Sequence, residues 1–357
     1  MLDGRQVDRI RGRGSRLEAF MTSIAVPAVV RRWWARRRWG VGDRLDRMGR
    51  YLLVRAPAAG RLYARLLTGR RRAPALSPGW TFGREYFIER RWMAERRGAL
   101  WEFAASRGLA IPLRVPWHEG THVEVSLGND MSLSLYVAGS FEPNEFAFLD
   151  RLLKPGMTFI DVGANEGLFS LFAARKVGPA GQVIAIEPSS RERRKLEHNL
   201  RLNRLSRVSV IPHALGDAVE TAALQIANPE HGGHNTLGRF AYDEVSAVAT
   251  EAVSVETLDG LAHRLGFGRV DAIKIDVEGA ELKVLRGATD VLRTLRPVLL
   301  IEANEAALAG QGASTAAVIG LLQAHDYEIR VFGETTGTIE GHVPGSDLSP
   351  NIVAVPR

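Results

Sequence analysis

The stretch Asp161-Val-Gly-Ala-Asn-Glu-Gly167 places a carboxylate at the end of a short apolar run and follows it with two glycines spaced G-x-x-x-G. Gly163 permits backbone torsions closed to other residues, and with Gly167 it lets the chain pass close to a ligand. Backbone N–H groups at the start of the following helix add a polar cradle. A glycine-rich turn alone also suits a plain structural role or other nucleotide sites. The spacing is not the G-x-G-x-x-G of dinucleotide sites. Asp161 would repel a pyrophosphate, but it could attract the cationic amino-acid end of a sulfonium nucleoside. A second acid, Glu187, closes the next apolar run in Ile186-Glu-Pro188, 26 residues past Asp161. A carboxylate there can accept hydrogen bonds from both hydroxyls of a ribose.

The elements that must hold these residues alternate. Apolar runs at Met157–Val162, Val183–Ile186, Val208–Ile211, Ala272–Ile275, Val298–Ile301, Tyr327–Phe332 and Ile352–Val355 read as strands. Helical patterns fall at Leu168–Val177, Arg191–Leu202, about Ala280 to Leu295, and around Ala316–Ala324. Short apolar strands separated by amphipathic helices predict an α/β fold, with a mostly parallel sheet covered on both faces and its ligand beyond the carboxyl ends of the strands. Upstream, His122–Leu127 and Met131–Val137 both alternate in polarity around Gly128-Asn-Asp130, which predicts a β-hairpin. Pro143 then opens a helix with an apolar face of Phe146, Leu149, Leu152 and Leu153.

Charge divides the chain. Residues 1–100 hold 24 Arg, no Lys and 8 acidic residues, whereas the remaining 257 hold 23 basic and 32 acidic ones. A basic arm on an acidic body implies different partners for the two regions. Residues 1–80 read as a basic, Arg/Trp-rich and mostly helical extension, with residues 66–80 as a linker. Residues 81–138 read as a connecting segment with the hairpin, and 139–357 as the α/β domain. Arg31-Arg-Trp-Trp-Ala-Arg-Arg-Arg-Trp39 could lie at an anionic membrane surface, contact nucleic acid, or form a solvated helical arm. No apolar run reaches the ~20 residues that cross a bilayer. Leu17–Val30, broken by Glu18 and Pro27, lacks a cleavage pattern, so an unsecreted, cytoplasmic protein is expected, touching the inner face of the membrane if its arm does so. The absence of Cys removes disulfides, thiolate metal sites and a cysteine nucleophile together.

Asp161-Val-Gly-Ala-Asn-Glu-Gly167, Ile186-Glu-Pro188, Ala214-Leu-Gly-Asp217, Ile273-Lys-Ile-Asp-Val-Glu-Gly-Ala-Glu281, Arg296-Pro-Val298 and Asn351-Ile-Val-Ala-Val-Pro356 together resemble the FkbM family of methyltransferases, over about residues 139–357. The resemblance implies a class I methyltransferase, Rossmann-like sheet of seven strands with the last antiparallel and helices on both faces. It also implies use of S-adenosylmethionine to methylate a hydroxyl on a carbohydrate, glycolipid or other natural product. Asp161, Gly163, Asn165 and Gly167 would hold the methionine part of the cofactor and Glu187 its ribose. Leu215 and Asp217 would border the adenine, although Asp217 equally suits a turn cap.

Asp276 would stand beside the transferred methyl group, as the first candidate to position the acceptor hydroxyl or take its proton. It could also cap the helix whose first turn holds Glu278 and Glu281, and both roles can hold at once. His234, in the irregular His231-Gly-Gly-His-Asn-Thr236 insert, is a second candidate base because an unperturbed imidazole titrates near neutrality, while Gly232-Gly233 also suits a mobile loop. His213 reads as a strand-end packing residue. Asp276 and Glu302 could share an oxygen-bound cation, but the sequence offers no third ligand, so no metal is expected. An RNA methyltransferase using the basic arm is the alternative reading. The acidic body and the lack of an Asn/Asp-Pro-Pro-aromatic motif at Asp276 weigh against it. The expected partner is therefore a small-molecule or glycan acceptor.

Overall fold

The computed structural model describes residues 42–68, 91–139, 141–333, 338–342 and 351–357. Leu17–Val30, Arg31–Trp39 and residues 69–80 of the expected linker lie outside them.

An antiparallel hairpin of β1 (Ile111–Pro116) and β2 (His122–Leu127) comes first. Then follow β3 (Thr158–Val162), β4 (Gln182–Ile186) and β5 (Val208–Ile211). An insert holds β6 (Ala214–Leu215), β7 (Glu220–Ala227) and β8 (Ala247–Glu256) as a separate three-stranded sheet. The chain returns through β9 (Ala272–Ile275), β10 (Val298–Glu302), β11 (Tyr327–Phe332), β12 (Ile339–Gly341) and β13 (Asn351–Pro356).

The main sheet has the order β12-β11-β13-β10-β9-β3-β4-β5. Its parallel pairs run from β10 to β5, and β13 lies antiparallel to both β10 and β11. Seven of these strands make the expected class I methyltransferase sheet, and the three-residue β12 adds an eighth at the β11 edge. Strands covered on both faces read as continuous apolar runs, and the burial follows the pleat. Phe159, Val183, Ala185, Ala272 and Leu300 feed one apolar cluster, while Ile160, Ile184, Ile186, Ile273 and Leu299 feed the other.

The helices Leu168–Val177, Ser190–Leu202 and Thr315–Ala324 lie where the periodicity puts them. The single helix expected over 280–295 is instead two pieces, Glu281–Arg286 and Val291–Leu295. They part at Gly287, where a Cβ would stand 2.0 Å from the Gly216 carbonyl oxygen.

One expectation fails outright. Met131–Val137 is not the second strand of a hairpin, because β2 pairs with β1, and residues 130–138 are helical. The Asn129 side chain accepts from Ser132 N and caps this helix, and Gly139, at φ +84°, ends it. The alternating serines that suggested a wet face are buried. Ser132 Oγ accepts from Gly128 N at 3.0 Å and from Trp101 Nε1 at 3.1 Å, so its polarity is met inside the protein.

The described part of the N-terminal region is helical, as Gly42–Arg55, Pro57–Leu66 and Arg91–Ala105. Its Leu53, Ala64, Leu67 and Leu100 belong to the same apolar cluster as Phe146 and Phe159. Tyr136 donates to the Ala64 carbonyl at 3.1 Å, and Arg97 donates to those of Leu67 and Val137. No helix among the described residues is long and apolar enough to cross a membrane.

Candidate functional site

The chain runs outward from β3 through β4 to β5 and then returns to β9 on the other side of β3. Ligands bind in such sheets where the strand order reverses, beyond the carboxyl ends. Here those ends are tied together. Gly163 N and Ala164 N both donate to the Ile186 carbonyl at 3.0 Å, and Asp276 N donates to that of Val162 at 3.0 Å. Gly163 sits at φ +80°, and a Cβ on it would lie 1.7 Å from the Asp276 carbonyl oxygen. Only glycine lets the β3 and β9 ends approach this closely. Above them opens a recess of about 630 Å³, including its mouth.

Glu187 forms one wall of the recess. Its Oε2 accepts from Asn165 N at 2.8 Å and its Oε1 from Ser189 N at 2.8 Å, which orients the carboxyl group and leaves each oxygen a further lone pair. Burial pushes this carboxyl up to about 8, against the pull of the two amide hydrogens. Asp161, fully buried in β3, accepts from Ser170 Oγ at 2.6 Å through Oδ2, whereas its Oδ1 has no partner among the described residues. Asn165, held at φ +48° in a region that Asn tolerates, likewise leaves its Oδ1 unpartnered. Two buried acceptors without donors beside a glycine turn suit a cationic ligand group.

Asp276 faces the recess from the end of β9. The Lys274 ammonium, itself buried in that strand, lies 2.7 Å from Asp276 Oδ2 and 4.5 Å over the Phe169 ring. Burial alone would raise the Asp276 carboxyl, but Lys274 and a hydrogen bond from Glu302 outweigh it and hold the group below its usual range. Burial, with Asp276 and Glu278 nearby, raises Glu302 well above the ordinary carboxylate value. The two carboxyl groups are thus driven in opposite directions, Asp276 down and Glu302 up. His234 Nδ1 lies 2.9 Å from Glu278 Oε1, and its ring stands edge-on to Tyr242. Burial works against the imidazolium, but Glu278 more than compensates and lifts the ring to about 9. His234 is therefore cationic near neutrality and has no free lone pair with which to act as the base expected of it.

The structure brings Gly163, Asn165, Glu187, Leu215 and Asp276 to one recess. Asp161 and Gly167 are not among its lining residues, although Asp161 precedes the lining Val162 in β3. Gly167, at φ +92°, starts the next helix with Leu196 against its Cα. Asp217 is exposed and does not line the recess, so it is not placed as an adenine acceptor. His213 is more than packing, because it lines the recess with Nδ1 2.6 Å from Glu256. Gly232 and Gly233 line the recess from the 3-10 segment Pro229–His234, which is kinked at His231.

Several lining residues escaped the sequence reading. Leu224 and Leu237 come from the insert. Glu192 lies on the expected helix over 191–202 without having been singled out, yet it is buried. Its signal was the capping box Ser189-Ser-Arg-Glu192, whose Ser189 Oγ bonds Glu192 at 2.6 Å. Glu278 supplies the third carboxylate that the sequence lacked, with an oxygen of each of Asp276, Glu278 and Glu302 within 4.8 Å of the others. Lys274 and His234 already offset charge in that cluster.

The model of the methyltransferase FkbM domain matches residues 161–329, which hold every residue of this recess. Methyltransferase 1 of Beauveria bassiana is 31% identical over 193 residues, 47% of this chain and 76% of that protein. The chain belongs to the FkbM methyltransferase family. The antimetabolite synthetase AmbE of Pseudomonas aeruginosa is 27% identical over 214 residues, half of this chain, which spans only 10% of that protein. The solved FkbM methyltransferase of Methylobacillus flagellatus superposes with a TM-score of 0.35 at 17% identity, covering 62% of this chain and 52% of its own. The matched domain, residues 161–329, is a methyltransferase domain with S-adenosylmethionine as its cofactor. The unpartnered oxygens of Asp161 and Asn165 and the oriented Glu187 fit the amino acid and ribose of that molecule.

Proposed function

We propose that the protein methylates a hydroxyl oxygen of a carbohydrate, glycolipid or other natural product. In this reading Asp161, Asn165 and the Gly163 turn hold the methionine end of the cofactor. Glu187 holds the ribose hydroxyls, and Leu215, Leu224 and Leu237 flank the adenine. When bound, S-adenosylmethionine supplies an electrophilic methyl group on a sulfonium.

The observation that carries the reading is Asp276, a carboxylate kept ionised at the end of β9 by Lys274 at 2.7 Å. An ionised oxygen there accepts the hydrogen of an incoming hydroxyl, orients its lone pair toward the cofactor, and takes the proton as the oxygen is methylated. Positioning of this kind reaches effective molarities of ~10⁵ M or more, and a base adds ~10²–10⁴-fold. Cationic His234 and the Tyr242 ring form the neighbouring wall, where they can orient the acceptor. Asp276, Glu278 and Glu192 around the recess disfavour a phosphodiester acceptor.

The test uses labelled S-adenosylmethionine with glycan, glycolipid and polyketide acceptors. The expected product carries an ether methoxyl by NMR and resists mild base. Asp276→Asn should lower turnover by about 10²–10⁴-fold while leaving cofactor affinity within about tenfold. Label on nitrogen, or equal losses of turnover and affinity, would refute the proposal.

A further inference from the structure

Eight large apolar side chains are strongly exposed among the described residues, and five of them, Met48, Tyr51, Val54, Leu62 and Leu66, fall on the two helices Gly42–Arg55 and Pro57–Leu66. Met48, Tyr51 and Val54 recur every three residues, and Leu62 and Leu66 are four apart, so each set forms a row on its helix. The opposite sides hold Leu53, Ala64 and Leu67, which are buried in the core. The helices pack tightly, since a Cβ on Gly60 would stand 2.7 Å from the Leu53 Cα. The rows are thus carried on a fixed platform, and core packing leaves them outward.

Among the described side chains of the two helices, every exposed charge is an arginine. Arg44, Arg55 and Arg65 are exposed on the same two helices. Asp46, by contrast, is buried in an ion pair with Arg96. Immediately upstream the sequence supplies five more arginines and three tryptophans in residues 31–39. Apolar side chains beside arginines match an interface in which acyl chains lie beneath anionic headgroups. The rows alone would also suit a protein partner or a second copy, but the exposed arginines beside them point to the lipid surface.

We propose that the helix pair of residues 42–66 is a docking surface for an anionic lipid bilayer. Each apolar side chain inserts at the acyl boundary, and each exposed arginine meets a headgroup phosphate. Neither step touches the recess, which lies at the strand ends of the α/β domain.

The full-length protein is sedimented with vesicles of equal parts phosphatidylcholine and phosphatidylglycerol, and with vesicles of phosphatidylcholine alone. The triple variant Tyr51→Glu, Leu62→Glu, Leu66→Glu changes only exposed positions, and unchanged titration with S-adenosylmethionine checks its fold. The wild type should partition onto the anionic vesicles and weaken with added salt. The triple variant should bind at least about tenfold more weakly. Arg44→Gln, Arg55→Gln and Arg65→Gln should each cost roughly fivefold on the anionic vesicles alone. A wild type that ignores the vesicles, or a triple variant that binds them equally, overturns the proposal. It is also overturned if the wild type dimerises through this face without lipid, or shifts an RNA oligonucleotide in preference to the vesicles.

Discussion

Gly163→Ala is expected to damage both stability and cofactor binding, and the structure sets the size of the effect. The new Cβ would stand 1.7 Å from the Asp276 carbonyl oxygen and 2.9 Å from its carbon, at a φ of +80°. Holding an L-residue in the left-handed region costs about 1–2 kcal/mol. Relieving the overlap must part β3 from β9, and overpacking of this kind costs about 1–3 kcal/mol more. The expected loss is therefore about 2–5 kcal/mol, and the displaced ends carry Asn165 and Asp276. Gly156→Ala separates the two causes. Its φ is +86°, yet a Cβ there meets nothing within 4 Å, so it should show only the torsional cost. Urea unfolding measures stability, and calorimetric titration with S-adenosylmethionine measures binding. Gly163→Ala should lose more stability than Gly156→Ala and should alone lose cofactor affinity. If the two variants unfold alike and both bind as the wild type does, the argument from close approach of the strand ends is wrong.

Two further variants probe the charges of the recess. Lys274→Met removes the ammonium facing Asp276, Asp161 and Glu142, and breaking a buried pair costs about 3–5 kcal/mol. In the wild type the lowered Asp276 contributes stability above its unfolded pKa and loses it on acidification. Without Lys274, burial penalises ionised carboxylates instead, so the stability gap should narrow as pH falls; a gap constant with pH would refute this. His234→Gln should show the opposite sign. The ring is raised from 6.5 to about 9, so its contribution is full below pH 6.5 and disappears as pH rises through 9, with up to about 3 kcal/mol at stake. Urea unfolding from pH 6 to 10 checks it, and a pH-independent difference would show that the ion pair with Glu278 is absent in solution.

What could be read from one dimension was whatever local pattern determines. β5, β9 and β11 begin and end where the sequence pattern puts them, because β-branched, aromatic and other apolar residues dominate each run even where Ser209, Lys274, Glu328 and Arg330 interrupt it, and Pro212 and Gly333 mark the turns after β5 and β11. Gly163 and Glu187 were legible for the same reason, since each lies at the end of a strand that the periodicity already located. Met131–Val137 misled because polarity alternation predicts a strand only if its serines face water, and here Ser132 is bonded by Trp101, 31 residues away, and by the adjoining turn at Gly128.

The chemistry of the site was decided by pairings distant in the chain. Glu278 meets His234 across 44 residues, and Asn165 meets Glu187 across 22. Titration depends on which charges face one another after folding, not on residue type. So His234 looked like a neutral base in the sequence and is a cation in the fold. Composition showed that the first hundred residues are basic. Only the packing of Leu53, Ala64 and Leu67 into the core shows which side chains of residues 42–66 are left facing outward.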